Sequence, residues 1–373
     1  MSITLEQFIR SLTDSGILSL EEIDAFHQDL NDGQPQDDAR EVCQELVRRN
    51  VLTGYQFDVL YEGSGDPLLL GDYVVLDKIG QGGMGVVFKA RCRSTRDVVA
   101  IKSLPFELTE DEDAIKRFRR EIRTAKKLSH PNIVTTLGSG VVDDKSFLVM
   151  EFVDGRDLSV LVKESGPVPL LTAVDSILQA ARGLEYAHSE GVIHRDIKPS
   201  NLLYDREATV KILDMGLART SSAAPNAALD PTITAITRSG AVVGTLDYIS
   251  PEQALNSRNA DERADIYALG CTLCFLLLGK PVYSGETVME KLIAHREHPI
   301  PTLARERSEV PHELDLIFSR MIAKKPHDRY ARVGEVIDDL MSCRDKYRNS
   351  WMMRRLSARF KEEWPRPGTS QGS

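Results

Sequence analysis

Eight consecutive residues, His194-Arg195-Asp196-Ile197-Lys198-Pro199-Ser200-Asn201, set a carboxylate, an ammonium and a carboxamide within six positions of one another. Few purely structural loops require that set. The run before it reads as a helix, because Val174, Ile177, Leu178, Ala181 and Leu184 recur at helical spacing, and Gly191 supplies a stop before the apolar pair Val192-Ile193. The chain must therefore fold so that a buried helix delivers polar side chains into a loop, the usual way of holding reacting groups on a rigid support. An ordinary charged loop between helix and strand is the competing reading of these residues alone.

Other segments narrow the choice. Strand-like residues from Tyr73 to Ile79 lead into Gly80-Gln81-Gly82-Gly83-Met84-Gly85, and Val86 to Ala90 continues as apolar strand. Glycines at 80, 82 and 85 let the backbone turn tightly and bring its N–H groups up to phosphates. The dinucleotide fingerprint of similar spacing opens a helix, whereas β-rich residues follow here. In Val98-Val99-Ala100-Ile101-Lys102, alternation puts Ala100 and Lys102 on one face and Val99 and Ile101 on the other; a small side chain beside a cation suits an adenine edge and a phosphate. Ile115, Phe118, Ile122 and Ala125 then mark the inward stripe of a helix. Glu121 lies beside that stripe, where it either pairs with Arg117 on the surface or reaches inward. Further on, the apolar strand Val210 to Leu213 ends in Asp214-Met215-Gly216, and a carboxylate emerging from a strand end suits a hard cation.

Taken in order, these motifs resemble those of protein kinases, with the nearest resemblance to Hanks-type bacterial Ser/Thr kinases at His194 to Asn201 and at Gly244 to Gln253. The resemblance covers Tyr73 to Arg344. It implies an α+β, two-lobed protein-kinase fold, an antiparallel β N-lobe with helix C and a mainly α C-lobe, preceded by a small helical domain. The implied reaction is transfer of the ATP γ-phosphoryl group to Ser or Thr hydroxyls of proteins, with Mg²⁺. Within it, Asp196 orients the hydroxyl and accepts its proton, Lys198 neutralises the γ-phosphate, and Asn201 and Asp214 hold Mg²⁺. Lys102, fixed by Glu121, holds the α- and β-phosphates. Ile79, Gly80, Gly82, Gly85, Val87 and Ala100 surround the nucleotide, Met150 is the gatekeeper, the backbone of Glu151 and Val153 meets adenine, and Asp157 faces the ribose hydroxyls. Lys198 and Thr245 favour the Ser/Thr branch.

Two positions depart from the family pattern: Met215 replaces the Phe of D-F-G, which puts the placement of this segment in doubt, and Ser250 replaces the Ala of A-P-E. The resemblance also implies that Asp265 and Gly270 anchor the catalytic loop and that Arg329 pairs with Glu252. Arg117, Arg195 and Arg219 would converge on a phosphate in the Ser/Thr/Ala-rich segment from Leu217 to Val243, whose composition suggests a mobile loop. Thr237 and Ser239 are the leading phosphoacceptors there, with Thr232 and Thr234 next. Every charged group the chemistry needs is present, which sets the chain apart from a binding scaffold of the same fold.

The rest of the chain divides around that domain, expected over residues 73–344. Residues 1–65 read as a small helical domain, with capping boxes at Thr4/Gln7, Ser19/Glu22 and Thr53/Gln56, a turn at Asn31 to Pro35, and a helix face marked by Val42, Leu46 and Val47. This region carries no catalytic set and resembles the leaders of planctomycete-type kinases; a structural or interaction role is expected. Residues 66–72 are expected as a linker, and Gly63-Ser64-Gly65-Asp66-Pro67 reads as flexible. Residues 345–373 form a basic, partly disordered tail, with eight Lys or Arg against three Asp or Glu from Arg344 onward. Trp351, Met352, Leu356 and Phe360 share a face there, for packing on the domain or for peripheral contact with an acidic membrane surface; packing is the expected outcome.

A net charge of −9 argues against a nucleic-acid surface. The five scattered cysteines make no disulfide framework, so a reducing, cytoplasmic setting is expected. Cys271 and Cys274 form a C-x-x-C inside an apolar run, which points to core packing rather than metal. Neither a signal peptide nor a membrane-spanning run is read from the sequence.

Overall fold

The computed structural model describes residues 4–18, 21–22, 38–63, 66–82, 85–103, 122, 126–142, 145–215, 245–256 and 260–355. Two compact units result, one of Met1–Arg119 with Thr136–Phe152 and the other of Arg120–Thr135 with Val153–Ser373.

The first unit opens with helices α1 (Leu5–Ser15), α2 (Ala39–Arg48) and α3 (Gly54–Glu62). Reciprocal capping boxes start α1 at Thr4/Gln7 and α3 at Thr53/Gln56, as the sequence suggests; Ser19 lies outside the described residues. Phe8, Leu12, Val42, Leu46 and Leu60 bury their side chains in one shared cluster. The segment 66–72, expected as a linker, packs rather than hangs free. Asp66 pairs with Lys78 at 3.3 Å, Leu68 joins the helical cluster, and Leu69–Leu70 forms strand β1.

Strands β2 (Tyr73–Gly82), β3 (Gly85–Cys92), β4 (Val98–Ser103), β5 (Thr136–Val142) and β6 (Lys145–Glu151) complete a six-stranded sheet in the order β1-β2-β3-β4-β6-β5. Every neighbouring pair is antiparallel. The alternation in β4 resolves as expected: Val99 and Ile101 enter an apolar cluster with Val75, Phe88, Phe147 and Val149, while Ala100 and Lys102 take the other face. The major helix expected around Ile115 to Ala125 lies outside the described residues except for Ile122, which is helical.

The second unit is mainly helical. A small sheet, β7 (Gly155–Asp157), β8 (Leu202–Asp205) and β9 (Val210–Ile212), accompanies helices α4 (Leu158–Ser165) and α5 (Leu170–Ser189). There follow α6 (Pro251–Asn256), α7 (Arg263–Leu278), α8 (Val288–Glu297), α9 (Leu303–Glu306), α10 (His312–Met321) and α11 (Val333–Arg355). Helix α5 buries its predicted stripe, and α7 is buried on all sides from Ala264 to Leu277, as befits a helix with no polar face. Cys271 and Cys274 are part of that core, where burial pushes both thiols up. Gly270 admits close packing: a Cβ there would stand 2.6 Å from Ile322 Cγ2. Helix α11 continues unbroken past residue 344, and Arg344 pairs with Asp175 at 3.1 Å. The side chains of Trp351 and Met352, together with Leu356 and Phe360, are outside the described residues.

One buried group gives this unit a pH dependence. His295 on α8 is fully buried and shares a 2.7 Å hydrogen bond with the Tyr267 hydroxyl. Burial first, then the charges of Lys324 and Lys291, lower its pKa from 6.5 to about 3. The unfolded chain takes up a proton below pH 6.5 that the folded chain refuses, so this contribution is complete above 6.5 and is lost as pH falls toward 3. Between pH 6.5 and 5 the loss amounts to about 2 kcal/mol. Unfolding midpoints measured across that range should fall in the parent and flatten in His295→Gln; equal slopes would contradict the assignment.

Candidate active site

The loop from His194 to Asn201 hangs on one buried carboxylate. Asp265, fully buried on α7, accepts from the backbone N–H of His194 at 2.8 Å and of Arg195 at 2.6 Å, and from His188 Nε2 at 2.8 Å. Burial alone would raise this carboxyl; the hydrogen bond and charge of His188, with His194 and the Arg195 N–H, outweigh it and hold the pKa below the usual range. His194 ties the loop a second way. Its Nδ1 accepts from the Asp196 N–H at 3.2 Å, which leaves the proton on Nε2 to be donated to the Leu213 carbonyl at 2.8 Å. Gln253 on α6 donates to the Arg195 carbonyl at 2.9 Å, and Arg195 itself has a left-handed backbone, φ 64°.

So held, the loop brings its three polar side chains together. Lys198 Nζ donates to Asp196 Oδ2 at 2.8 Å, and Asn201 Nδ2 donates to the Asp196 carbonyl at 2.8 Å and to Oδ2 at 3.1 Å. With its amide hydrogens so engaged, Asn201 presents its carbonyl oxygen elsewhere. The Asn201 backbone carbonyl accepts from the Leu213 N–H at 2.9 Å, which ties the end of β9 to the loop one residue before Asp214. Asp214 is in the left-handed region, φ 57°. Strain of that kind, about 1–3 kcal/mol, persists where neighbours over-determine the backbone. Met215 comes next, 4% exposed, and packs into the main apolar core of this unit; its side chain takes the buried role that bulk and apolarity allow. Gly216 lies outside the described residues.

The remaining described candidates of this unit are Val153 and Asp157. Val153 is half-buried, and its carbonyl accepts from the Gly155 N–H at 3.0 Å. Asp157 is the N-cap of α4, with Oδ1 accepting from the Val160 N–H at 2.9 Å. Burial raises its pKa in spite of the backbone hydrogen bonds of Val160 and Ser159.

In the sheet unit, cross-strand register sorts the other candidates. Gly80 lies opposite Val87, Val87 opposite Lys102, and Ala100 opposite Met150, so these positions line one face. Lys102, Ala100 and Met150 are buried at 3, 7 and 6% exposure, whereas Ile79 is exposed. Glu151 pairs with Val99 at the end of β6. Gly82 ends β2, and Gly85 opens β3 with φ 147°; a Cβ there would collide with the Ser103 carbonyl at 2.4 Å. Glu121 lies outside the described residues.

Supporting contacts extend beyond the predicted set. Arg329, with no exposed side-chain surface, forks onto both Glu252 oxygens at 2.7 Å, the pairing the motif pattern implied. His188 and Gln253 were not singled out by sequence; isolated polar residues dozens of positions from their partners leave no periodic signal.

An antiparallel sheet unit with a buried strand lysine, and a helical unit with an anchored Asp-Lys-Asn loop, are the components of one class of fold, that of the protein kinases. The chain belongs to the protein kinase family, and the description "Protein kinase domain" matches residues 73–342. It is 37% identical over 281 residues to the serine/threonine-protein kinase PknB of Mycolicibacterium smegmatis, covering 74% of this chain and 43% of that protein. A probable serine/threonine-protein kinase of Clostridium perfringens is 35% identical over 274 residues, covering 73% of this chain and 38% of the relative. The chain thus spans about two fifths of the length of these relatives. Among solved structures, the Mycobacterium tuberculosis PknI kinase domain matches with a TM-score of 0.54 and 26% identity, over 74% of this chain and 96% of that one.

Proposed function

We propose that the chain transfers the γ-phosphoryl group of ATP to Ser and Thr hydroxyls of proteins. The observation that carries this reading is the Asp196 carboxylate, one third exposed and held by Lys198 and Asn201 on a loop fixed from behind by Asp265. A base so placed orients the acceptor hydroxyl and takes its proton, while Lys198 stands ready for the charge of the γ-phosphate. Lys102 holds the α- and β-phosphates, with Glu121 as its partner. The backbone at Gly80, Gly82 and Gly85 covers the phosphates; Ile79, Val87 and Ala100 enclose the adenine, Met150 closes its pocket, and Glu151 and Val153 meet its edge through the backbone. Asp157 faces the ribose, its carboxylate also serving as a helix cap. The names of the similar bacterial proteins support the Ser/Thr assignment.

Mg²⁺ fits the residues present. The Asp214 carboxylate and the Asn201 side-chain carbonyl are hard oxygen donors, and the bond from Leu213 to Asn201 ties their segments together. One or two protein oxygens plus phosphate oxygens are the usual Mg²⁺ complement. Bound there, the ion would neutralise charge on the phosphate oxygens.

Among the described residues no helix is long and apolar enough to cross a membrane, and all five cysteines are free and buried. We assign the protein to the reducing cytoplasm, with proteins as its substrates. The test is to incubate the full chain with γ-phosphate-labelled ATP, Mg²⁺ and a generic protein acceptor. Acid-stable label on serine or threonine is expected; no label, or label on tyrosine alone, would overturn the reading.

Autophosphorylation belongs to the same proposal. Thr237 and Ser239, outside the described residues, are the phosphoacceptors we assign, their phosphates pairing with Arg117, Arg195 and Arg219. A phosphate carries about −1.5 to −2 charges at pH 7, and each charge-assisted hydrogen bond is worth roughly 1.5–3 kcal/mol. Phosphate mapping after incubation with Mg-ATP should find one or both sites, and Thr237→Ala/Ser239→Ala should be several-fold less active. A fully active double variant would remove this mode of activation without touching the kinase assignment.

A further inference from the structure

The N-terminal helices reach the strand that leads into the glycine-rich turn, and they do so where its ladder is interrupted. Strand β2 carries two extra residues relative to β3. Val75 faces Ala90 and Asp77 faces Lys89, so Leu76 is unmatched; Lys78 faces Phe88 and Gly80 faces Val87, so Ile79 is unmatched as well. A bulge interrupts the ladder, bends the strand and re-aims the residues beyond it. Helix α3 supplies donors at the first bulge. Gln56, 3% exposed, donates from Nε2 to the Val75 carbonyl at 2.7 Å, and Thr53 Oγ1 donates to the Leu76 carbonyl at 2.6 Å. The same two residues form the capping box of α3, in which Gln56 Oε1 accepts from the Thr53 N–H at 2.9 Å. Helix start and strand bulge are thereby one hydrogen-bonded unit.

Packing holds the contact in place. Tyr55 touches the helical cluster and the sheet cluster alike, its ring 6.3 Å from that of Phe88. Val74 turns toward the helices, and beyond the bulge the Asp66 carboxylate grips Lys78. Residues 74–78, which span the first bulge and reach the edge of the second, are thus held from the N-terminal side. The next residues include Ile79, Gly80 and Gly82, which are assigned to the nucleotide.

We infer that Gln56 and Thr53 are positioning residues for nucleotide binding: by bonding the carbonyls at the Leu76 bulge they set the course of β2 into its glycine-rich end. The inference rests on the assignment of that end to ATP. Neither residue is among those assigned to the nucleotide, so their effect falls on ATP affinity rather than on the chemical step.

The decisive variant is Gln56→Glu in the full chain. An ionised glutamate still accepts from the Thr53 N–H and suits a helix N-terminus, so the cap survives, but it offers no donor to the Val75 carbonyl; working at pH 8 favours that ionised form against the upward push of burial. Titration of Mg-ATP and initial rates of phosphate transfer should show the ATP Kd and KM raised about three- to tenfold, the worth of one such hydrogen bond, with kcat at saturating ATP little changed. Thr53→Val should act in the same direction and Thr53→Ser should restore the parent value. Gln7→Ala, which breaks the equivalent box on α1, controls for weakening of the helices in general and should leave ATP affinity alone. Unchanged ATP affinity in Gln56→Glu, or the same loss in Gln7→Ala, would reduce the contact to a structural one and overturn the inference. A parent that binds ATP but transfers nothing removes the kinase reading while the binding titration still decides this point; a parent that binds no ATP removes both.

Discussion

Asp196→Asn should lower phosphate transfer by roughly 10²–10⁴-fold, the usual worth of a positioned acid–base group, while ATP affinity stays close to that of the parent. The substitution is nearly isosteric. Asp265 holds the loop through the backbone of His194 and Arg195, and neither bond involves the side chain at 196. Asn201 retains the Asp196 main-chain carbonyl as an acceptor. What disappears is the charge that Lys198 pairs with and the carboxylate oxygen proposed to take the hydroxyl proton. Turnover at saturating ATP and an independent ATP titration separate the two quantities. Turnover within tenfold of the parent would mean that Asp196 is not the base.

Arg329→Met should be strongly destabilising, by about 3–5 kcal/mol, because it strands a largely buried carboxylate. The guanidinium binds both oxygens of Glu252 and also donates to the carbonyls of Ala323 at 2.7 Å, Arg263 at 2.9 Å and Lys324 at 3.2 Å. It lies 4.8 Å from the centre of the Tyr267 ring. Methionine fills much of the volume and satisfies none of these acceptors. Lysine returns a charge without the planar fork, so Arg329→Lys should recover only part of the loss. Replacing Glu252 by Met as well should recover more, since no unpaired charge is then left in the interior. Denaturant midpoints give the ranking, and a single Met variant within about 1 kcal/mol of the parent would show the pair to be dispensable. Activity should fall with stability, because α6 carries both Glu252 and the Gln253 that holds the Arg195 carbonyl.

The parts legible in the sequence were those whose information is local. Alternation alone sorted Val99 and Ile101 from Ala100 and Lys102, and helical spacing alone found α5. Two capping boxes were read correctly from four residues. Strand β5 left no comparable sign: Gly138 and Gly140 interrupt it, and it lies at the sheet edge with no fully buried position. Strand β1 is only two residues long, which is why its segment read as a linker. In the loop from His194 to Asn201 the polar trio was visible as neighbours in the chain, but its anchor was not: His188 and Asp265 meet only after α5 and α7 have packed. Gln56 shows the limit most clearly. Its capping half is written in the T-x-x-Q spacing; the target of its other half is a main-chain carbonyl at a bulge, and backbone carbonyls carry no residue identity.

The all-round burial of α7 also has a consequence for how the chain is made. Its first neighbour, α5, leaves the ribosome before it, but Met321 and Leu340, which complete the same core, lie on helices made later. At about 5–20 residues per second, the sixty or so residues from the end of α7 to Leu340 take roughly 3–12 s to synthesise. For that interval a helix with no polar face waits with only part of its cover, and a nascent chain halted there offers chaperones and proteases an apolar surface that the finished protein never displays.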